Sequence, residues 1–236
     1  MKSIYFILLN LFISQCILSS QVQTFDFFYF VQQWLPALCD KKAACCYPTT
    51  GKPALDFGIH GLWPVNNNHT FPSFCNENSP FDEKQILDLM SDMQKDWPTL
   101  ACPKNNGKKF WAHEWNKHGT CSLSTLDMHS YFQVTLALKE KVNLLQVLKN
   151  AGIRPDGRSY GMKAIKEAIK NGIGHDVVIE CNNDMFGNNQ LFQVYICVDK
   201  TGSDLIECPM ILKRKCDENI VFSDFGSDTE GSSISF

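Results

Sequence analysis

The sequence predicts an α+β fold: one domain in which a central antiparallel sheet packs with several helices and disulfides fasten the result. Three observations predict it. The chain mixes segments of strand-like and helix-like periodicity, with Asn and Gly turns between the strands. Its 236 residues are 44% apolar and 20% charged, which suits a single domain with a real core. It carries 11 Cys, of which Cys16 lies in an apolar N-terminal run, so an even ten remain for a disulfide framework.

The elements follow in order. Met1 to Ser20 reads as a secretory signal, with Lys2 as its charged start, Ile4 to Leu18 as its apolar run and Ser19-Ser20 offering a cleavage site. That leaves residues 21–223 as the domain and 224–236, rich in Ser, Gly and Asp, as a flexible tail. Phe25–Trp34 (FDFFYFVQQW) is aromatic and β-branched enough for a buried strand. Cys39–Lys52 is a loop. In FGIHGLWP, Phe57, Ile59 and Leu62 supply the apolar side of a short strand. Val65–Ser79 is a polar loop carrying the sequon Asn68-His69-Thr70, so Asn68 is an expected glycosylation site. Ser79-Pro80 reads as the cap and first residue of a helix whose apolar face is Ile86, Leu89, Met90 and Met93. Asp127 caps one long helix from Met128 towards Ala151, stopped by Gly152, and Ser159–Asn171 is another helix. Strands at Val177–Cys181, Leu191–Val198, Leu205–Cys208 and Ile220–Phe222 complete the sheet.

Chemistry concentrates in WAHEWNKHGTC, Trp111 to Cys121. If this stretch is helical, Glu114 and His118 share one face and His113 and Lys117 the next. A carboxylate, an ammonium and two imidazoles along one edge suffice for proton transfer and for holding an anion. The zinc-protease pattern H-E-x-x-H is excluded. The second His here comes five residues after the first, about 140° round the helix from it, and no third-ligand motif follows. No CxxC pair supports a zinc site elsewhere, so no metal and no cofactor is expected. FGIHGLWP adds His60, set between two glycines that allow close backbone approach, and Trp63, a flat face for a sugar or base. Two imidazoles can serve as one acid and one base at mildly acidic pH. His69, His129 and His175 have no such neighbours and read as surface residues.

Together FGIHGLWP and HEWNKHGTC resemble the two active-site segments of the ribonuclease T2 family. The resemblance runs from Phe25 to Phe222 through FYFVQQW, CCYPTTGKPA, WPTLACP, IECN and YICVD, and is to the plant S-like members. It implies a ribonuclease T2-like fold and a secreted endoribonuclease of low base specificity. Such an enzyme cleaves single-stranded RNA without metal, to 2′,3′-cyclic phosphates and then 3′-phosphates. His118 is then the base on the 2′-hydroxyl and His60 the acid on the leaving oxygen. Lys117 and Glu114 stabilise the transition state, His113 binds phosphate, and Trp63 supports the ribose. Gln33, Thr99, Ala101 and Phe110 match base-contacting positions. Some relatives carry Asn and Leu where Thr99 and Ala101 stand, which leaves base preference open. The family also implies the pairings Cys39–Cys45, Cys46–Cys102, Cys75–Cys121, Cys181–Cys216 and Cys197–Cys208.

Without Lys2 the chain holds 21 basic and 25 acidic residues, a charge of about −4. That argues against a high-affinity nucleic-acid binder, which carries a basic surface, but not against a nuclease with local positive charge. Single-stranded RNA is the expected partner. DNA is not, since it lacks the 2′-hydroxyl nucleophile. No membrane anchor is expected, and the enzyme should be a monomer, secreted or delivered to a vacuole or other endomembrane compartment. Two rival readings use the same scaffold. One is an S-locus-type cytotoxic ribonuclease, against which the acidic charge speaks. The other is a catalytically weak storage or defence protein, against which the presence of both His60 and His118 speaks.

Overall fold

Residues 24–40, 45–68, 70–209 and 215–226 are described by a computed structural model of the chain. The expected signal segment, His69 and tail residues 227–236 lie outside them. Strand β1 (Phe27–Trp34) is buried throughout. Its alternate side chains enter two cores: Phe28, Phe30 and Trp34 the main one, Phe27, Tyr29 and Val31 a smaller one on the opposite face. This is why the segment reads as a continuous apolar run rather than an alternation. Each such side chain contributes roughly 1.5–3 kcal/mol by leaving water.

After the short helix α1 (Pro36–Cys39), β2 (Phe57–Val65) pairs antiparallel with β1. β3 (Ser159–Gly161), β4 (Val178–Asn183), β5 (Asn189–Val198) and β6 (Asn219–Val221) complete a six-stranded sheet of order β2-β1-β5-β6-β3, with β4 also paired to β5. All the ladders are antiparallel except the single β5–β6 pairing, Gln190 with Val221. The helices α2 (Met90–Asp96), α3 (Lys108–Lys117), α4 (Met128–Lys141), α5 (Leu144–Asn150) and α6 (Met162–Ile173) supply most of the main core's other wall. Disulfides join Cys39–Cys45, Cys46–Cys102, Cys75–Cys121, Cys181–Cys216 and Cys197–Cys208.

Several boundaries differ from the sequence reading, each for a traceable reason. The helix expected at Ser79-Pro80 starts later, as a 3-10 segment from Glu83 capped by the Asp82 side chain. The Ser79 carbonyl accepts from the indole of buried Trp115 instead. The single long helix from Met128 is two helices. In a continuous helix the Gln146 N–H would bond the Val142 carbonyl. Here Gln146 N–H goes to the Asn143 side chain, and buried Gln32 donates to the Val142 carbonyl. Ser159–Gly161 is strand rather than the first turn of a helix, held by β6. Leu205–Cys208 forms only an isolated bridge at Leu205 and a bond from Ile206 N–H to Cys197.

Candidate active site

His60 owes its position to an irregularity. Along the β1–β2 ladder Val31 faces Gly61, but the next residue, Gln32, faces Ile59, so His60 is the extra residue of a β-bulge. A bulge re-aims a side chain. It lets Ile59 and Leu62, three apart, both enter the main core while His60 and Trp63 line a cleft. β2 is an edge strand, and its exposed edge is covered: the His60 carbonyl accepts from Trp97 and the Leu62 carbonyl from Tyr131.

Helix α3 brings the second half of the site. Gly107, with φ +86°, opens the helix in the left-handed region that glycine tolerates, against the Trp111 ring. Trp111 and Trp115 anchor the helix in the core, leaving His113, Glu114, Lys117 and His118 for the cleft. Its last turn is pinned by the Cys75–Cys121 bridge and by a bond from Phe74 N–H to the Lys117 carbonyl.

In the cleft, about 550 Å³, His60 Nε2 lies 3.9 Å from Glu114 Oε1. The Trp63 indole donates to Glu114 Oε2 at 2.8 Å. The Trp63 ring touches both imidazoles, edge-on to His60 at 4.9 Å and stacked on His118 at 5.0 Å. Gly61 makes the approach possible, since a Cβ there would stand 2.2 Å from Glu114 Oε2. Lys117 is half-buried and His113 exposed, so both reach solvent. Burial pushes the Glu114 carboxyl up to about 8, against the pull of its Trp63 bond and of Lys117. Burial, with the positive charges nearby, pushes His118 down to about 3. His60 is held at about 4, also by burial, although a quarter of its side chain meets solvent. His118 Nδ1 is buried and makes no hydrogen bond among the described residues, so ring stacking on Trp63 orients it.

The site residues read from the sequence are thus partly gathered. His60, Trp63, Phe110, His113, Glu114, Lys117 and His118 line one cleft. Gln33 is buried on β1 opposite Gln193, Thr99 is buried against Trp111 with its hydroxyl accepting from Ala101 N–H, and Ala101 is exposed; none of the three lines it. His129 and His175 sit elsewhere, beside Asp88 and Glu207. Sequence reasoning missed Phe71, Pro72 and Ser73, which wall the cleft, and Gln193 and Tyr195 behind His60. The signal available for the last two was their shared face, two residues apart in a strand. A larger groove of about 700 Å³ lies elsewhere, but its ionisable lining is mainly acidic and it contains no imidazole.

The family model described as the Ribonuclease T2 family matches residues 25–208, spanning both halves of this cleft and strands β1 to β5. The chain belongs to the ribonuclease T2 family. It is 56% identical over 220 residues to extracellular ribonuclease LE of Solanum lycopersicum, covering 92% of this chain and 96% of that one. Intracellular ribonuclease LX of the same species is 51% identical, covering 98% of each. Among solved structures, RNase NT in complex with 5′-AMP superimposes with a TM-score of 0.83 at 53% identity, over 86% of this chain and all of that one. These likenesses place the T2 chain with the plant S-like members.

Proposed function

We propose that this ribonuclease cleaves single-stranded RNA by metal-independent transphosphorylation, with His118 as base and His60 as acid. The observation that carries the reading is the convergence of two imidazoles, a lysine and a buried carboxyl around Trp63. RNA brings its own nucleophile, the 2′-hydroxyl, so the enzyme needs only to move two protons and stabilise the charge on phosphorus. Neutral His118 takes the 2′-proton. His60 must be an imidazolium to protonate the leaving 5′-oxygen. Burial opposes that in the free enzyme, but a bound phosphodiester anion raises both imidazoles again. Lys117 and His113, at the open side, supply the cationic contact. Glu114, pushed up to about 8, is a neutral acid under acidic conditions: one oxygen accepts from Trp63 and the other can donate to a phosphoryl oxygen. The cyclic phosphate product is then opened by water with the two His roles exchanged.

Phe110 and the exposed Phe71 offer ring faces to a base, and ring faces accept any base, which fits low base specificity. Gln33, Thr99 and Ala101 act there only at one remove. The ten paired cysteines, the apolar N-terminal run and the exposed Asn68 fit a monomer that is glycosylated and secreted. The test is RNA cleavage by the mature protein at pH 5, with and without EDTA, beside His118→Phe. Cyclic phosphates should form regardless of EDTA, and the variant should lose roughly 10²- to 10⁴-fold in kcat. Near-normal turnover by the variant, or strong EDTA inhibition, overturns the reading.

A further inference from the structure

Behind His60, on the side away from the cleft's α3 groups, a chain of polar groups runs along the sheet, Gln193 and Tyr195 buried and Glu180 half-buried. Gln193 of β5 is buried, and its amide Nε2 lies 2.8 Å from His60 Nδ1 while Oε1 lies 3.0 Å from Tyr195 Oη. Tyr195 Oη also donates to the carboxylate of Glu180, which faces Gln193 across the β4–β5 ladder. A phenol has one proton. With Glu180 ionised, that proton belongs to the carboxylate, the stronger acceptor. The Tyr195 oxygen is then an acceptor, and an amide oxygen turned toward it would meet it with no proton between them. Turning the amide over about its last bond satisfies every member: Gln193 N–H donates to Tyr195, and Gln193 Oε1 faces His60 Nδ1.

We propose that Gln193, its amide orientation set by Tyr195 and Glu180, is the positioning residue of His60, accepting the Nδ1–H and aiming Nε2 into the cleft. This rests on the reading of His60 as the acid, and deepens it: an imidazolium has two N–H groups, and the one away from the substrate needs an acceptor. Among the described residues, the other groups around His60 do not provide one. Glu114 lies on the Nε2 side at 3.9 Å, Trp63 and Phe110 present rings, and Trp97 bonds only the His60 carbonyl. Burial disfavours the protonated ring, Lys117 and His113 on α3 do so to a lesser degree, and the Gln193 contact opposes them.

The test reads His60 itself, by ¹⁵N-resolved NMR titration, beside the pH–rate profile on a dinucleotide. Wild-type His60 should carry its proton on Nδ1 when neutral. Gln193→Leu should lower its pKa by about one unit, the size of a lost hydrogen bond to a charged group. Tyr195→Phe, which removes one oxygen atom, should move it the same way by less, and Gln193→Glu should raise it. The alkaline limb of kcat should follow each shift. A neutral ring protonated on Nε2, or an unmoved titration in folded Gln193→Leu, overturns the proposal. If the titration moves and the alkaline limb stays, the positioning role of Gln193 stands and it is the acid role of His60 that fails.

Discussion

At the scale of single residues the site is built from close contacts with no slack. All five tryptophans find an acceptor for the indole N–H: Trp34 at Ser223, Trp97 at His60, Trp111 at Trp97, Trp115 at Ser79 and Trp63 at Glu114. Large rings are therefore buried without orphaned donors, and two of them reach Glu114 and His60 directly. Gly61 is the tightest point, because any Cβ there overlaps both Glu114 Oε2 and Trp63 Nε1. Gly61→Ala should break that bond and displace the carboxyl. A misplacement of about 1 Å can cost on the order of 100-fold, so kcat should fall by that order while disulfide-held structure persists in circular dichroism. Wild-type kcat in this variant would show that the Trp63–Glu114 contact has no part in the reaction.

At the scale of elements, side chains decide where helices begin and stop. The break between α4 and α5 is set by Asn143, whose side chain takes the N–H of Gln146, and by Gln32, which takes the Val142 carbonyl. Asn143→Ala should cost about 1 kcal/mol in urea unfolding, the usual worth of a helix cap. An unchanged midpoint would mean that Gln32 alone ends α4. The bulge in β2 works in the same way on a strand, since one extra residue turns His60 out of the alternation that buries Ile59.

At the scale of the molecule, three buried groups of the cleft couple folding to pH. Glu114 is raised from 4.5 to about 8, so its contribution is present below 4.5 and lost as pH rises through 8. His60 and His118 are lowered from 6.5 to about 4 and 3, so theirs is present above 6.5 and lost as pH falls through those values. Between pH 6.5 and 4.5 the unfolded chain gains two protons at these His and only the native state holds one on Glu114. Stability should therefore fall by about 1–3 kcal/mol over that interval on acidification. Above 6.5, of these three only Glu114 acts and stability falls again, giving a thermal midpoint highest near pH 6.5. In Glu114→Gln the decline above 6.5 should vanish. If it persists unchanged, Glu114 is not its source.

Much of this was legible in the sequence because it depends on local pattern. HEWNKHGTC holds its acid, ammonium and imidazoles within six residues, so helical spacing alone puts them along one edge. The α+β class follows from segment periods, and the even count of cysteines after Cys16 follows from the chain itself. What the chain could not decide alone was anything settled by a partner far along it. Gln193 reads as one polar residue in an apolar strand, and only pairing across β1 and β5 brings it to His60, 133 residues away. The helix break at Val142 depends on Gln32, 110 residues away, and the rise of Glu114 on desolvation by groups from β2. Periodicity records which face of a segment is buried. It does not record what that face meets, and hydrogen bonding and burial, which tune this site, act only at contact.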